Sequence, residues 1–287
     1  EAMESVLSQT ISDWEILVVD DQSGPETKAV VDSVSDSRIR YLRTPKQSYA
    51  GGSRNLGVTR SVAKLVSFLD DDDLYLPDKL DQTCRAFSSD QGVGVVASPF
   101  DCGNYAVNAN LNGDVYEKLI SRFHAVPTSS LAFRKDIFVE LGGFDPSLTH
   151  AEDIDLCIRA SRVTKFATLE KTLVFHRQHD SPRLIQNYDR SAACFKIMIA
   201  KNFPAPRGGI TAQGKRLLNN FTALACSNNA LTAFLAGNRA SAVRYSLAAL
   251  CLEPACLKWA VHVLGYCFAP RAVVLARRDR ALPTIRQ

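Results

Sequence analysis

The chain has 287 residues, 46% of them apolar and 22% charged, with a formal net charge of +4. That composition belongs to a globular protein with a sizeable core and excludes a disordered or low-complexity chain. The eight cysteines include no Cys-x-x-Cys pair and no regular spacing, which speaks against a zinc framework or a disulfide scaffold and for reduced thiols. The overall charge hides an asymmetry. Residues 1–181 hold 19 Lys and Arg against 27 Asp and Glu, whereas residues 182–287 hold 15 against 3. An acidic body of residues 1–181 followed by a basic region of residues 182–287 is the expected domain division.

No secretory signal opens the sequence; Glu1-Ala2-Met3-Glu4-Ser5-Val6-Leu7 reads as a helix already under way. Residues 14–19 form a strand too apolar to have a wet face, as in a covered parallel sheet. It ends at Asp20-Asp21-Gln22-Ser23-Gly24, and a helix follows from Pro25 to about Ser35. A short strand over 38–42 precedes a helix opened by Gly51-Gly52-Ser53, and residues 65–69 form the next strand. Further on, the pattern predicts a helix over 78–88, a strand over 93–97 and a Gly- and Asn-rich loop over 101–113. A strand over 128–133 and a short helix over 136–141, stopped by Gly142-Gly143, come next. Glu152-Asp153-Ile154-Asp155 opens another helix with carboxylates in its first turn, and 172–176 is a late strand. From Leu184 onward the pattern is almost wholly helical. Alternating strands and helices predict an α/β fold with a mainly parallel sheet flanked by helices, followed by a helical C-terminal appendage.

The strand over 65–69 ends in four consecutive carboxylates, Asp70-Asp71-Asp72-Asp73. Four adjacent like charges need compensation from water, basic side chains or a hard cation. Oxygen-only ligands at a strand end suit Mg²⁺ or Mn²⁺; a solvated acidic turn before the Pro77 helix is the plain alternative. In parallel α/β sheets ligands bind beyond the carboxyl ends of the strands. Both acidic clusters, Asp20-Asp21 and Asp70-Asp71-Asp72-Asp73, fall at such ends, which favours a site.

Six segments in this order, Ser5-Val6-Leu7-Ser8-Gln9-Thr10, Glu15-Ile16-Leu17-Val18-Val19-Asp20-Asp21-Gln22-Ser23, Arg54-Asn55-Leu56-Gly57, Phe68-Leu69-Asp70-Asp71-Asp72-Asp73, Gly142-Gly143-Phe144-Asp145 and Glu152-Asp153-Ile154-Asp155-Leu156-Cys157-Ile158-Arg159, carry a resemblance. Over about residues 3–181 the chain resembles glycosyltransferase family 2, the inverting nucleotide-sugar-dependent enzymes of the GT-A fold, of bacterial type. The resemblance implies a Rossmann-like catalytic domain over 1–181. It further implies a nucleoside diphosphate sugar donor of UDP or dTDP type, and a glycan or lipid-linked acceptor. Asp21 would accept the imide N–H of the base, Arg54 would pair with a phosphate or with the acidic cluster, and Asp71 would meet the ribose or metal-bound water. Asp70 and Asp72 would bind Mn²⁺ or Mg²⁺ as Lewis acid on the diphosphate. Asp153 would be the general base that deprotonates the acceptor hydroxyl. Asp145, Glu152 and His179 are assigned weakly to the acceptor side or the diphosphate, and His176 is assigned nothing. Helix capping is the plain reading of Asp20, Asp73, Glu152 and Asp155.

Members of that family begin with a further strand and a loop just before the first helix of this sequence. The expectation is therefore a piece of a longer enzyme whose first strand lies upstream. The basic region, with Arg277, Arg278, Arg280 and Arg286 near its end, suits either peripheral contact with an anionic membrane or helical packing. A cytoplasmic protein, at the inner face of the membrane, would follow from the former. Nothing resembles a nucleic-acid-binding motif. The competing functional reading is a GT-A-like module that binds nucleotide or metal without transfer.

Overall fold

A computed structural model describes residues 1–101, 106–108, 110–121, 126–177, 188–235 and 238–252. The chain divides into two compact units, Glu1–Ser181 and Pro182–Gln287.

The first unit opens with helix α1 (Ala2–Leu7), strand β1 (Ile16–Asp20), α2 (Pro25–Asp32), β2 (Ile39–Arg43), α3 (Tyr49–Arg60) and β3 (Leu65–Ser67). It continues with β4 (Leu74–Tyr75), α4 (Lys79–Ser89), β5 (Val93–Ala97), β6 (Phe100–Asp101) and β7 (Ala106–Val107). Next come α5 (Tyr116–Ser121), a 3₁₀ turn (Thr128–Ser130), β8 (Leu131–Arg134), α6 (Lys135–Glu140), α7 (Glu152–Ala160), β9 (Lys165–Thr168) and β10 (Val174–Phe175). The elements mostly sit within a few residues of where the sequence pattern puts them. The strand before the acidic run is shorter, because Phe68 and Leu69 leave the ladder and pack instead against Phe133, Phe138 and Phe144 and against the Val6 and Tyr75 cluster respectively.

The strands fall into three groups, β1-β2, β4-β10-β6-β7 and β3-β8-β5-β9. Parallel pairing joins β1 to β2, β5 to β9 and β6 to β10, each across an intervening crossover. β8 runs antiparallel between β3 and β5, and β4 and β7 pair antiparallel at β10 and β6. β5 is buried along its whole length, which explains its unbroken apolar sequence. Its Gly94 sits at a shift of register against β9, where an added Cβ would lie 2.4 Å from Thr164 Oγ1. β1, equally apolar, is only half-buried from Ile16 to Val19 and has β2 alone as a ladder partner among the described residues.

Two apolar clusters support the sheet ends. Phe87, Val93, Val96, Ala132, Leu169 and Leu173 pack under α4 and β5. Val6, Tyr75, Phe100 and Val174 form the other, with Trp14, Ile16 and Leu69 against them. Four phenylalanines, Phe68, Phe133, Phe138 and Phe144, meet edge to face or tilted at 5.2–6.2 Å between ring centres.

The second unit contains α8 (Tyr188–Asn202), α9 (Ala212–Leu235) and α10 (Arg239–Leu252). Thr211 caps α9, its Oγ1 accepting from Gly214 N–H at 3.1 Å, and Asn238 caps α10 through Ser241 N–H. Phe195 stacks on Phe221 at 5.0 Å, and Ala223, Ala230, Ala242 and Ala249 are fully buried where α9 meets its neighbours. No helix among the described residues is long and apolar enough to cross a membrane. The five cysteines among them are all unbridged. Residues 253–287, including the terminal arginines, lie outside the described residues.

Candidate active site

The carboxyl ends of β1 and β3 and the first turn of α7 supply the acidic side chains, and α3 supplies the cation between them. The Asp20 side chain is buried. It accepts hydrogen bonds from Tyr41 Oη, Ser23 N–H and Arg43 Nη1, which hold its carboxyl below the usual range. Asp21 faces the other way. Its Oδ1 accepts from Thr44 Oγ1 at 2.8 Å and from Ser48 N–H at 2.8 Å, and its Oδ2 accepts from Tyr49 N–H at 2.7 Å. These bonds cap the amino end of α3 and fix the entry to the helix that carries Arg54. Burial pushes the Asp21 carboxyl up, and the hydrogen bonds from Thr44, Ser48 and Tyr49 more than reverse that.

The four-aspartate run is a turn whose members separate by environment. Asp73 is fully buried. It accepts from His176 Nδ1 at 2.9 Å and from Arg177 N–H at 3.2 Å, so it fastens the turn to the end of β10. Burial raises the Asp73 carboxyl, and the His176 and Ser129 hydrogen bonds carry it below the usual range. Asp71 is exposed, while Asp70 and Asp72 are half-buried. Carboxylate oxygens of Asp70, Asp72 and Asp73 lie within 4.8 Å of one another. This oxygen-only donor set suits a hard divalent cation such as Mg²⁺ or Mn²⁺. The sequence pattern points to Asp70 and Asp72; the structure adds Asp73, already engaged by His176. Ser129 Oγ accepts from the Asp70 N–H at 3.1 Å, and Tyr75 Oη donates to the Phe68 carbonyl beneath the turn.

Arg54 links the two acidic regions. Its Nη2 donates to Asp70 Oδ1 at 2.6 Å and its Nη1 to Glu152 Oε1 at 2.9 Å. Its guanidinium carbon stands 5.5 Å from the centre of the Phe144 ring. Burial lowers the Arg54 pKa, and the Asp70 and Glu152 charges outweigh it, leaving the group firmly cationic. Glu152 and Asp153 occupy the first turn of α7, entered through Ala151 in a left-handed conformation with φ of 60°. That geometry is strained for an alanine and opens the turn from which Glu152 reaches Arg54. Among the described residues Asp153 has no ion-pair partner comparable to that of Glu152. Burial, then the neighbouring Glu152 charge, push its carboxyl up from 3.8 to about 7. A half-buried carboxyl titrating near neutrality can take a proton from a hydroxyl and release it again.

The remaining predicted residues fall elsewhere. Asp145 Oδ1 accepts from Ser147 N–H and Oγ at 2.9 and 2.7 Å, closing the turn after Phe144. Asp155 is buried and pairs with Arg159 at 2.7 Å within α7. His179 lies outside the described residues. The sequence reading missed Ser48 and Thr44, which receive Asp21, and His176. The His-to-Asp73 contact joins residues 103 apart, so no local pattern signals it.

With this arrangement in view, comparison with known proteins is direct. Residues 1–138 match the family model described as Glycosyl transferase family 2. That match, just under half of the chain, takes in Asp21, Arg54 and the four-aspartate run. A Haemophilus influenzae protein named only as an uncharacterized glycosyltransferase is 24% identical over 173 residues, 57% of this chain and 58% of that protein. An Escherichia coli protein, WfgD, is 39% identical over 80 residues, 28% of this chain and 32% of its own. Its name describes a UDP-Glc:alpha-D-GlcNAc-diphosphoundecaprenol beta-1,3-glucosyltransferase. The chain spans about three fifths of the first curated relatives it matches, 58% and 60% of their lengths. Among solved structures, S. aureus TarS 1–349 in complex with UDP superposes with a TM-score of 0.58 at 14% identity, covering 93% of this chain and 83% of that one. A second S. aureus TarS structure gives 0.60 at 15% identity over 86% of this chain and 46% of its own. These likenesses establish the GT-A fold.

Proposed function

We propose that the chain transfers a sugar, with inversion, from a nucleoside diphosphate donor of UDP or dTDP type to a hydroxyl of a glycan or lipid-linked acceptor. The observation that carries this reading is Asp153, a carboxyl raised to about 7 and set beside the Arg54 bridge between Asp70 and Glu152. In a single displacement the acceptor oxygen attacks from the face opposite the departing diphosphate. Asp153 takes its proton as the new bond forms. Asp70 and Asp72 would hold Mn²⁺ or Mg²⁺, which when bound neutralises charge on the leaving diphosphate. Arg54 adds a fixed positive charge at the same edge, and Glu152 keeps its second arm oriented.

In this proposal Asp21 meets the base with whatever lone-pair capacity its Thr44, Ser48 and Tyr49 bonds leave, and Asp71 meets the ribose. Asp145 and His179 belong to the acceptor side and the diphosphate. The lipid-linked acceptor class is supported by the name of the WfgD relative, whose matched stretch is short. A cytoplasmic site, with residues 182–287 as a basic helical domain touching an anionic membrane, completes the reading.

Calorimetric titration with UDP, dTDP, GDP and CMP, with and without Mn²⁺, tests it. Metal-dependent binding of UDP or dTDP, weakened by Asp72→Asn, is the expected result. Asp153→Asn should then retain that binding and lose transfer. Absence of metal-dependent nucleotide binding, in this chain and in one extended upstream, would sink the proposal and leave the acidic run as a solvated turn.

A further inference from the structure

Asn55, next to Arg54 in the Arg54-Asn55-Leu56-Gly57 segment, is given no task by the proposed chemistry. Its side chain crosses from α3 to the turn between α6 and α7. Asn55 Nδ2 donates to the Phe144 carbonyl at 2.8 Å, and Asn55 Oδ1 accepts from the Phe144 N–H at 2.9 Å. Only one orientation of the amide satisfies both groups. The fit leaves no room beside it. A Cβ on Gly143 would lie 2.4 Å from Asn55 Oδ1, and Gly143 adopts φ of 70°.

Arg159 takes the same turn from the other side. Its Nη1 donates to the Leu141 carbonyl and its Nη2 to the Gly143 carbonyl, both at 2.8 Å, while its Nε is held by Asp155. The N–H groups of Leu141, Gly142 and Gly143 return to α6. The backbone donors from Leu141 to Phe144 are therefore all engaged, which lets the turn sit against the core without an unpaired group. The product is a fixed Phe144. Its ring is fully buried, 5.2 Å from Phe68 and 5.5 Å beneath the Arg54 guanidinium. Gly51, one turn before Arg54, keeps space for it: a Cβ there would meet Phe144 Cβ at 3.2 Å and Glu152 Cγ at 3.6 Å.

We infer that Asn55 is a positioning residue, which through Phe144 holds the Arg54 guanidinium where it bridges Asp70 and Glu152. As a role in donor binding this rests on the proposed function; as a structural coupling of Asn55 to Arg54 it does not.

The test is a double-mutant cycle of Asn55→Ala and Arg54→Lys, read in two ways. In urea unfolding, the two substitutions together should fall at least about threefold short of additivity in the unfolding constant, because both act through Phe144. In calorimetric titration of Mn²⁺ with UDP, Asn55→Ala should raise Kd about tenfold, and should raise it less than about twofold when Arg54 is already Lys. Additive unfolding energies, or an equal loss of UDP affinity in both backgrounds, would overturn the inference, since a residue of general structural value acts alike in each. If the unsubstituted chain binds no UDP with Mn²⁺, the proposed function has failed, and the unfolding cycle still decides the coupling. If Asn55→Ala does not unfold cooperatively, Asn55→Asp, which keeps the acceptor and loses the donor, takes its place in both measurements.

Discussion

Arg54 and Asp70 meet at 2.6 Å, and this contact ties α3 to the end of the strand that carries the acidic run. The Arg54 side chain is 14% exposed and that of Asp70 38%, so the pair is only partly screened by water. Removing the cation leaves Asp70, Glu152 and Asp153 facing one another. Arg54→Ala should destabilise the fold by about 2–3 kcal/mol, below the range for a fully buried pair. Urea denaturation measures this, and a change within about 0.5 kcal/mol would show that solvent already does the work of the guanidinium.

Asp153 links activity and stability with opposite signs. As the proposed base it must be ionised, so transfer should rise with pH through about 7. Its folded pKa is raised from 3.8, so the folded state binds a proton more tightly than the unfolded chain. The charged form is therefore a burden on folding that grows between pH 4 and 7 and is complete above that. Asp153→Asn should raise Tm by several degrees at pH 8 and leave it unchanged near pH 4. An equal shift at both pH values would count against a raised carboxyl.

Gly143 admits no side chain. Its φ of 70° and the 2.4 Å approach of Asn55 Oδ1 act together, so Gly143→Ala should cost about 2 kcal/mol or more. Gly142 has φ of 78° and open space around its missing Cβ. Gly142→Ala should show only the conformational part of that loss. Equal losses at the two positions, by chemical denaturation, would remove the Asn55 contact as the cause of the difference.

Lys79 is wholly buried at the start of α4, its ammonium 5.1 Å from the centre of the Tyr75 ring and donating to Thr83 Oγ1 at 3.0 Å. Burial lowers its pKa from 10.5 to about 8. The charged form is disfavoured in the fold, so stability should rise as pH climbs from 8 toward 10.5. Lys79→Met, of similar length and without charge, should stabilise the protein by about 1–3 kcal/mol at pH 7. That gain should shrink at pH 10. Destabilisation at pH 7 would mean that the contacts to Tyr75 and Thr83 outweigh the desolvation.

What the sequence makes legible here is local. The abrupt change from Phe68-Leu69 to four aspartates marks a strand leading into a polar turn, and three carboxylates from Glu152 to Asp155 mark the start of α7. Strand pairing is a different matter. Nothing in Leu131-Ala132-Phe133 says that it runs antiparallel between β3 and β5, because an apolar strand buried on both faces carries no sign of direction. The division of labour among the aspartates was likewise hidden. Asp73 is set apart by His176 and Arg177, and Asp21 from Asp20 by Thr44 and Ser48 on the one and Tyr41 and Arg43 on the other, partners reached through the fold. Charge clusters can be read from a line of text; which member is engaged depends on what folds over it.

The outer sides of β1 and β3 have a practical consequence. Among the described residues each strand has a single ladder partner, β2 and β8 respectively, so backbone donors and acceptors line a second side of both. Such sides are templates for any extended chain that reaches them. In a concentrated preparation that chain is another molecule of the same protein. Handling should therefore be governed by concentration, and light scattering across a dilution series measures how far the two sides are used.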